Sequence, residues 1–300
     1  MNLATPAAAR ADSPFDLGRE EPFARWSEAK LEAYPAGLGE LVVEVGDPRR
    51  LTAAEYAAIA ARLRRANMAL YVGPADPDRA IPIELARRFG AVRLDRNWLS
   101  DPDGLTSLTV AAGGARSGYI PYTDRAIQWH TDGYYNAADR QIRALLLHCV
   151  APAASGGENR LLDHEIAYLL LRREDPDYIR VLSAPDALTI PPGTEAGGRA
   201  RPARTGPVFR VDPATGTLHM RYTARRHNAV WKDDPATQAA ARRLREILDD
   251  PATGVLRGRL EPGMGLISNN VLHDRAAFAD GPEGVRLLYR ARFYDRLQTP

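Results

Sequence analysis

The chain has 300 residues, of which 45% are hydrophobic, so it can bury a sizeable core as one large domain or two small ones. Its 40 basic and 38 acidic residues leave a net charge of +2, which gives no global case for binding nucleic acid or a membrane surface. The single cysteine, Cys149, excludes an internal disulfide and a cysteine-based zinc site. The N-terminus lacks the pattern of a signal peptide, and no apolar run has the length of a membrane span. We therefore expect a cytoplasmic protein whose residues 1–18 are poorly ordered.

The first hundred residues predict a mixed α/β segment. Thr52 and Glu55 have the spacing of a capping box at a helix start, and Gly90 is a typical helix stop. The elements expected here are a helix at 52–67, a buried strand at 68–73 and a helix at 82–89. No linker follows this segment, so we expect residues 19–300 to form a single domain, with 19–100 as its α/β flank.

From about residue 105 the chain is rich in short apolar or alternating runs that are separated by Gly, Pro and Ser, a pattern typical of strands. Strands are expected at 105–112, 142–150, 159–163, 207–211, 217–223, 255–262, 265–273 and 285–296, and helices at 164–184, with a break at Pro176, and at 236–249. The runs on either side of DPATG (212–216) predict a hairpin. This order favours a mainly β fold with α insertions, a distorted double-stranded β-helix (jelly roll), over a parallel βαβ array.

A candidate metal site begins at His130-Thr131-Asp132. Residues i and i+2 of a strand point to one face, so an imidazole and a carboxylate could here bind the same ion. The other histidines differ in their surroundings: His148 is typical of a core, His164 of a surface or capping residue at a helix start, and His219 and His227 are ambiguous. His273 ends an apolar strand after a glycine-rich turn and is a candidate third ligand. Two histidines and one carboxylate would leave three positions of a ferrous ion open for a cosubstrate and dioxygen.

Four motifs in order carry a resemblance to a known family: WHTD (129–132), GGEN (156–159), NNVLHDR (269–275) and VRLLYRARF (285–293). Together they resemble the taurine dioxygenase (TauD/TfdA) family of Fe(II)/2-oxoglutarate-dependent oxygenases over residues 105–296. Residues 120–163 are similar to its γ-butyrobetaine hydroxylase branch. The resemblance implies a jelly-roll fold that uses Fe(II), 2-oxoglutarate and O2. It also implies oxidation, usually hydroxylation, of a C–H bond in a small polar, anionic or zwitterionic metabolite.

The resemblance also assigns roles to residues. The implied iron ligands, which are also the catalytic residues, are His130, Asp132 and His273. Arg286 matches the arginine that pairs with the far carboxylate of 2-oxoglutarate, which a guanidinium can bind through two hydrogen bonds. Asn159 stands where related enzymes place a polar side chain beside that carboxylate. Arg290 matches the arginine that contacts the substrate anion in the taurine enzyme, although a structural role is equally open. Arg292 shares the strand face of both arginines, so the three cannot all bind 2-oxoglutarate.

Tyr134 and Tyr135 follow the first two ligands and are candidate substrate contacts. With Tyr119, Tyr122 and Trp129 they could form a cage for a quaternary ammonium group, although ordinary packing is the simpler interpretation. Two alternatives to an oxygenase stay open from the residues alone. One is a metal-dependent hydrolase, which activates water and needs no buried arginine, and the other is a jelly-roll protein that binds metal or a small acid without turnover. We expect a small-molecule substrate and homo-oligomer formation, with neither nucleic acid nor membrane as a partner.

Overall fold

The computed structural model describes residues 12–194, 200–282 and 284–299. The helices are α1 (Glu20–Ala33), α2 (Ala53–Ala66), α3 (Ile81–Arg88), α4 (His164–Glu174), α5 (Pro176–Leu182) and α6 (Pro235–Asp249). The strands are β1 (Val42–Glu44), β2 (Met68–Val72), β3 (Thr106–Leu108), β4 (Ile127–His130), β5 (Ala144–Ala151), β6 (Ser155–Gly156), β7 (Asn159–Leu162), β8 (Leu188–Ile190), β9 (Gly193–Thr194), β10 (Ala200–Arg201), β11 (Arg204–Gly206), β12 (Phe209–Val211), β13 (Leu218–Met220), β14 (Val230–Trp231), β15 (Leu256–Gly258), β16 (Met264–Ser268), β17 (Leu272–Arg275), β18 (Phe278–Ala279) and β19 (Leu287–Phe293). The chain is therefore mainly β with inserted helices, as predicted.

The predicted helix starts are confirmed by their caps. The Thr52 hydroxyl accepts a hydrogen bond from the Glu55 N–H, and the Glu55 carboxylate accepts one from the Thr52 N–H, which completes the capping box of α2. The helical stretch predicted with a break at Pro176 is two helices, because the proline begins α5 and Asp175 caps it through the Asp177 N–H. The hairpin predicted around DPATG is the antiparallel pair β12–β13.

The larger of the two main sheets has the strand order β1-β2-β16-β5-β19-β3 among the described residues, and only β1 and β2 pair in parallel. One face packs on α2 and α3, where Leu146 and Ile267 meet Ile59 and Phe89 in a single buried cluster. The opposite face packs on the smaller sheet, and Leu145, Leu147 and Leu266 there share a second buried cluster with residues of β7 and β15. The larger sheet is thus a buried middle layer, which explains the almost wholly apolar run in β5.

The smaller sheet has the strand order β15-β7-β17-β4 and carries the candidate site. The single strand predicted at 265–273 is wrong, since this run forms β16 in the larger sheet and β17 in the smaller one. The chain crosses between them at Asn270, whose φ of 54° lies in the left-handed region that asparagine tolerates better than most residues. An apolar run can therefore hide a change of sheet when its turn residue is an asparagine.

The N-terminal segment was expected to be disordered over residues 1–18. Residues 1–11 lie outside the described residues, whereas residues 12–18 pack on the domain. Phe15 makes edge-to-face contacts with Trp26 of α1 and Tyr168 of α4, at centroid distances of 5.2 and 5.4 Å. Within the described ranges, no helix is both long and apolar enough to cross a membrane.

Candidate active site

Three predicted metal ligands meet between two neighbouring strands of the smaller sheet. His130 ends β4, Asp132 follows two residues later, and His273 in β17 lies directly opposite His130 in the antiparallel pair. The nearest ligand atoms of the three side chains lie within 4.8 Å of one another. The two imidazole centroids are 4.2 Å apart, and His130 Nε2 is 3.5 Å from Asp132 Oδ1. The structure therefore brings the three side chains that were predicted from the sequence into one cluster.

Both imidazoles present the same nitrogen to the centre of this cluster. His130 Nδ1 lies 2.9 Å from the Gln128 carbonyl oxygen, and His273 Nδ1 lies 2.9 Å from the Val271 carbonyl oxygen. A carbonyl oxygen only accepts hydrogen bonds, so each Nδ1 carries the proton and donates it. Each Nε2 then keeps its lone pair for a metal, and metal-binding histidines usually donate their other ring N–H to a carbonyl or carboxylate oxygen in this way.

The charge states of the cluster also suit a metal. Burial alone would raise the pKa of Asp132, but the positive charge of Arg290, helped by His130 and Arg292, outweighs it and holds this pKa well below its usual value. Burial and the neighbouring His130 lower the pKa of His273 to about 4. At neutral pH the cluster therefore offers a carboxylate and a neutral imidazole at these two positions, as a divalent metal requires.

The backbone of Asp132 is fixed from two sides. The Asn270 side-chain amide accepts a hydrogen bond from the Asp132 N–H at 2.8 Å and donates one to the Asp132 carbonyl oxygen at 3.0 Å. The same nitrogen also donates to the Ile142 carbonyl oxygen at 2.8 Å. Gly133 has a φ of +69°, and a Cβ at this position would lie 2.4 Å from Ile142 Cγ1. The sequence analysis did not single out Asn270. The pattern that could have indicated it is the pair of asparagines within the apolar run GLISNNVLH (265–273).

Arg286 is a buried cation with unused hydrogen-bonding capacity. Its side chain packs over the Phe278 ring, with the guanidinium carbon 5.0 Å from the ring centroid. Its Nη1 atom is buried and has no hydrogen-bond partner among the described residues. Burial lowers the pKa of Arg286, because desolvation disfavours its charge. A desolvated guanidinium without a counterion is costly, so this position favours an anionic ligand.

Asn159 was expected to donate to the same ligand as Arg286. In the structure its Nδ2 donates to the Asp274 carbonyl oxygen at 2.6 Å, although the residue lines the same cavity as Arg286. The neighbouring Arg160 binds the Asp274 carboxylate, with Nε 2.6 Å from Oδ2. Both contacts hold the residue that follows His273. Asn159 is thus engaged in supporting a ligand strand, and one of its two amide hydrogens is already used.

Arg290 and Arg292 both point inward, as the shared strand parity predicted. Arg290 Nη1 lies 3.1 Å from Asp132 Oδ2, so this arginine touches the carboxylate of the cluster directly. Arg292 is 3% exposed and donates to Asp95 at 2.5 Å and to the Tyr135 hydroxyl at 3.0 Å. The charge of Arg292 is therefore balanced by the buried Asp95 carboxylate. Arg290 instead contacts Asp132, a member of the candidate metal cluster.

A cavity of about 660 Å³ opens over the cluster. It has the size of the pockets that bury drug-sized ligands. Among the described residues, its wall contains ten arginines but only three aspartates. The arginines are Arg96, Arg125, Arg140, Arg201, Arg204, Arg225, Arg275, Arg286, Arg290 and Arg292, and the aspartates are Asp95, Asp132 and Asp274. The motifs on the sequence did not point to Arg204 or Arg225, because both lie between the motif-bearing segments.

The predicted aromatic residues divide into two groups. Tyr134 and Tyr135 line the cavity, as do Tyr119 and Tyr122. The Tyr134 hydroxyl accepts a hydrogen bond from Asn228 at 2.8 Å. Trp129 is 2% exposed, packs under the Arg160 guanidinium and does not belong to the described cavity wall. The simpler interpretation, ordinary packing, is therefore confirmed for Trp129, because a strand residue next to His130 points to the opposite face.

The remaining histidines lie away from the cluster. His148 is fully buried beside Tyr71, whose hydroxyl is 2.9 Å from Nδ1, which confirms the core assignment. His164 is also buried, with Nε2 3.2 Å from the Leu218 carbonyl oxygen, so its assignment to a surface or cap is wrong. The cap of α4 is instead Asp163. Cys149 is buried, and burial raises its pKa to about 12, as expected for an inert thiol.

A family model and a known relative of this chain both point to dioxygenases. The family described as taurine catabolism dioxygenase TauD, TfdA family matches residues 30–292. Uridine-5'-phosphate dioxygenase from Streptomyces sp is 34% identical over 201 residues, which cover 64% of this chain and 70% of that protein.

Solved structures share the fold at much lower identity. A taurine dioxygenase from Burkholderia xenovorans is 19% identical and has a TM-score of 0.57, with 85% of this chain and 87% of that chain covered. An asparagine oxygenase in complex with Fe(II), 2S,3S-3-hydroxyasparagine and succinate is 15% identical and has a TM-score of 0.56, with 90% of this chain and 91% of that chain covered. At these identities the likeness concerns the fold.

Proposed function

Since the chain belongs to the TauD/TfdA family and is a 2-oxoglutarate-dependent non-haem iron dioxygenase, we propose that it oxidises a C–H bond of a small anionic metabolite. The iron ligands in this proposal are His130, Asp132 and His273. Arg286 anchors 2-oxoglutarate, and Arg290 contacts the substrate. The observation that carries the proposal is the arginine-rich wall of the cavity above the three ligands.

The enzyme uses Fe(II), with 2-oxoglutarate and O2 as cosubstrates. The cluster fits Fe(II), because two Nε2 atoms keep their lone pairs and the Asp132 side chain is held as a carboxylate by Arg290. When bound, the metal with its cosubstrates supplies the oxidant for an unactivated C–H bond. The protein orients the substrate against it and keeps bulk water away from the reacting atoms.

The proposed position of 2-oxoglutarate rests on Arg286. Its side chain lines the cavity that contains the three ligands, and its Nη1 is buried without a hydrogen-bond partner among the described residues. A carboxylate can occupy two N–H groups of a guanidinium at once and would supply the missing counterion. Asn159 lines the same cavity, and its hydrogen bond to the Asp274 carbonyl oxygen supports β17, the strand that carries His273.

The charge of the cavity supports an anionic substrate. Two arginines of the wall already have carboxylate partners, since Arg290 pairs with Asp132 and Arg292 with Asp95. A bound ferrous ion adds positive charge, and 2-oxoglutarate brings only two carboxylates. Arg204 and Arg225 then still lack a carboxylate partner among the described residues. A phosphate monoester suits such a wall, and a relative that is 34% identical acts, by its name, on uridine 5'-phosphate.

Tyr134 and Tyr135 complete the proposed substrate contacts. Both line the cavity, and Tyr135 is tied to Arg292 through its hydroxyl. Arg290 would lie between the substrate and the iron ligand Asp132, so that its guanidinium can form ion pairs with both. A quaternary ammonium substrate would have to enter a strongly positive cavity, so the narrower similarity to the γ-butyrobetaine hydroxylase branch stays a prediction.

The fold that we propose for this site is the distorted jelly roll, with 19–300 as one domain. Its support is the packing of two mainly antiparallel sheets face to face, with the ligand strands in the smaller sheet. Homo-oligomer formation and a cytoplasmic location stay predictions. The hydrolase and the non-catalytic binding protein are set aside, because the family is one of oxygenases.

An anaerobic titration with Fe(II) and then 2-oxoglutarate tests the residue roles. Chelation of the keto acid should give a weak visible charge-transfer band, which Asp132→Ala should abolish. Arg286→Ala should keep iron binding but weaken 2-oxoglutarate binding about 30-fold or more, the equivalent of a lost charged contact of about 2 kcal/mol or more. Arg257→Ala, which removes an exposed arginine of β15, is the control. Unchanged 2-oxoglutarate affinity in Arg286→Ala would refute the anchor role.

A further inference from the structure

Two aromatic side chains form part of the cavity wall at its edge. Trp98 and Tyr119 both line the cavity that holds the iron ligands. Their rings meet edge to face, with centroids 5.2 Å apart and an interplanar angle of 77°. Trp98 is 38% exposed, which is unusual for the largest apolar side chain. An exposed tryptophan in a ligand cavity therefore calls for a ligand that covers it.

The loop that carries Trp98 is held on both sides of the residue. The Asn97 side-chain oxygen accepts a hydrogen bond from the Leu99 N–H at 2.9 Å, and the Asn97 carbonyl oxygen accepts one from the Ser100 hydroxyl at 2.6 Å. The Leu99 carbonyl oxygen accepts from Arg116 Nη2 at 2.7 Å. These bonds form a tight turn that presents the indole outward. The position of Trp98 is thus fixed before any ligand arrives.

The second ring is fixed independently. The Tyr119 hydroxyl donates to the Thr194 carbonyl oxygen at 3.1 Å, which ties its loop to β9. The Tyr122 hydroxyl donates to the Leu99 carbonyl oxygen at 3.2 Å, which joins the loops of the two rings to each other. Rigid aromatic side chains bind a flat ligand with little loss of conformational entropy.

The electrostatics of the cavity decide which flat ligand fits. The arginines of the wall would repel a cationic group, so a quaternary ammonium is disfavoured even though the rings could attract one. A neutral heteroaromatic ring has no such cost and stacks on an indole. The pair of rings formed by Trp98 and Tyr119 is therefore suited to an uncharged ring.

We propose that Trp98 and Tyr119 form a subsite for a planar, uncharged heteroaromatic ring of the substrate, such as a nucleobase. This inference rests on the proposed function, since it places the anionic group of the same molecule at the arginines of the cavity. The C–H bond to be oxidised then lies between the two ends of the substrate. A cavity of about 660 Å³ has room for a ligand of nucleotide size beside 2-oxoglutarate.

The test measures the binding of three probes to the anaerobic complex with Fe(II) and 2-oxoglutarate by calorimetry. UMP has a base and a phosphate, ribose 5-phosphate lacks the base, and uridine lacks the phosphate. Wild-type protein should bind UMP about 5- to 100-fold more tightly than ribose 5-phosphate, the range expected for stacking of one base. Trp98→Ala should abolish this advantage and leave ribose 5-phosphate affinity within about twofold, whereas Trp98→Phe should keep most of it.

Trp231→Ala is the matched control, because Trp231 is a partly exposed tryptophan that lies outside the described cavity wall. It should change the affinity of no probe. The proposal is overturned if wild-type protein binds UMP and ribose 5-phosphate equally, if Trp98→Ala weakens both to the same degree, or if neither UMP nor uridine binds.

The same three probes separate this inference from the proposed function. If uridine binds as tightly as UMP and needs Trp98, the ring subsite stands and the anionic substrate fails. If both phosphates bind tightly and Trp98→Ala changes neither, the anionic substrate stands and the ring subsite fails. In each case the charge-transfer band of the bound keto acid reports that the iron and 2-oxoglutarate sites are intact.

Discussion

Replacement of Asn270 tests whether a residue that does not bind the metal sets the position of one that does. Its side-chain amide makes three hydrogen bonds to main-chain groups, two on Asp132 and one on Ile142. Asn270 is 2% exposed, so Asn270→Ala would leave the Asp132 N–H, the Asp132 carbonyl and the Ile142 carbonyl buried without these partners. Each unpaired group costs about 1–3 kcal/mol, and water that enters the gap recovers part of it.

A second cost comes from the backbone. Asn270 has a φ of 54°, and alanine is about 1 kcal/mol less favourable than asparagine or glycine in this region. We therefore expect Asn270→Ala to lower the free energy of unfolding by about 3–5 kcal/mol. Asn270→Gly loses the same hydrogen bonds without the backbone strain and should cost about 1 kcal/mol less than alanine.

The decisive readout is the dissociation constant of Fe(II), because a purely structural asparagine would change stability alone. Loss of a partner that orients a metal ligand typically weakens metal binding about 10- to 100-fold, and we expect this for Asn270→Gly. Asn269→Ala is the matched control, since Asn269 is also buried but bonds Asn67 and the Leu297 N–H instead. It should lower stability and leave iron affinity unchanged.

Both constants come from urea unfolding and an anaerobic Fe(II) titration of the same preparations. The reasoning is refuted if Asn270→Gly binds Fe(II) as tightly as wild type, or if Asn269→Ala weakens iron binding to the same degree. Asn270→Asp refines the test. It keeps an acceptor for the Asp132 N–H but places an oxygen against the Asp132 carbonyl, so it should resemble the glycine variant rather than wild type.

Three further predictions concern buried charges. Arg292→Met strands the buried Asp95 carboxylate, so urea unfolding should show a loss of about 3–5 kcal/mol, and the added change Asp95→Asn should recover much of it. Lys30→Met likewise removes the ammonium that lies 2.6 Å from the fully buried Asp163, with a similar loss in urea and no change in Fe(II) affinity. The metal-free protein should also lose stability in acid. The pKa of His273 is lowered by burial and by the adjacent imidazole to about 4, so between about pH 6.5 and 4 the unfolded chain binds a proton that the folded chain does not. His273 alone should contribute up to about 1.4 kcal/mol per pH unit to the fall of the free energy of unfolding in that window, and His273→Gln should make the fall shallower by that part.

The three residues of the candidate metal cluster could be predicted because their sequence signals are local. His130 and Asp132 share a strand face by spacing, and a histidine at the end of an apolar strand marks His273. The resemblance to the family then assigned His273 to the same site as His130 and Asp132. The parity of Arg286, Arg290 and Arg292 predicted that all three face the same way, and all three line the cavity, although Arg286 precedes β19 and a register shift follows it.

The partners of these residues could not be predicted, because they depend on contacts between distant segments. The sequence predicted that Asn159 donates to 2-oxoglutarate, but its Nδ2 donates to the Asp274 carbonyl oxygen. The pairing of β7 with β17 brings these two residues together. The alternative of a cage that includes Trp129 fails for a different reason: Trp129 is close to His130 in sequence, but alternation along a strand places it on the other face. The change of sheet at Asn270 was hidden inside one apolar run.

The way in which buried arginines are satisfied explains how the cavity stays positive. Arg275 donates to the Thr123 and Arg125 carbonyl oxygens at 2.6 Å, and Arg221 donates to the Gly206 carbonyl oxygen at 2.8 Å. These bonds satisfy the guanidinium N–H groups without adding a negative charge. Burial lowers the pKa of Arg275 and of Arg221 to about 10, so both remain protonated at neutral pH.

A lysine in these places would bring a single point charge that loses its proton more readily when buried. Among the 40 basic residues of the chain, only Lys30 and Lys232 are lysines. Arginines that bond to backbone carbonyl oxygens keep their charge without a carboxylate partner, and the charge then acts on whatever enters the cavity. Arg275, which lines the cavity, therefore both holds the loop of Thr123 and Arg125 and contributes positive charge to the cavity, and replacing it would change both properties together.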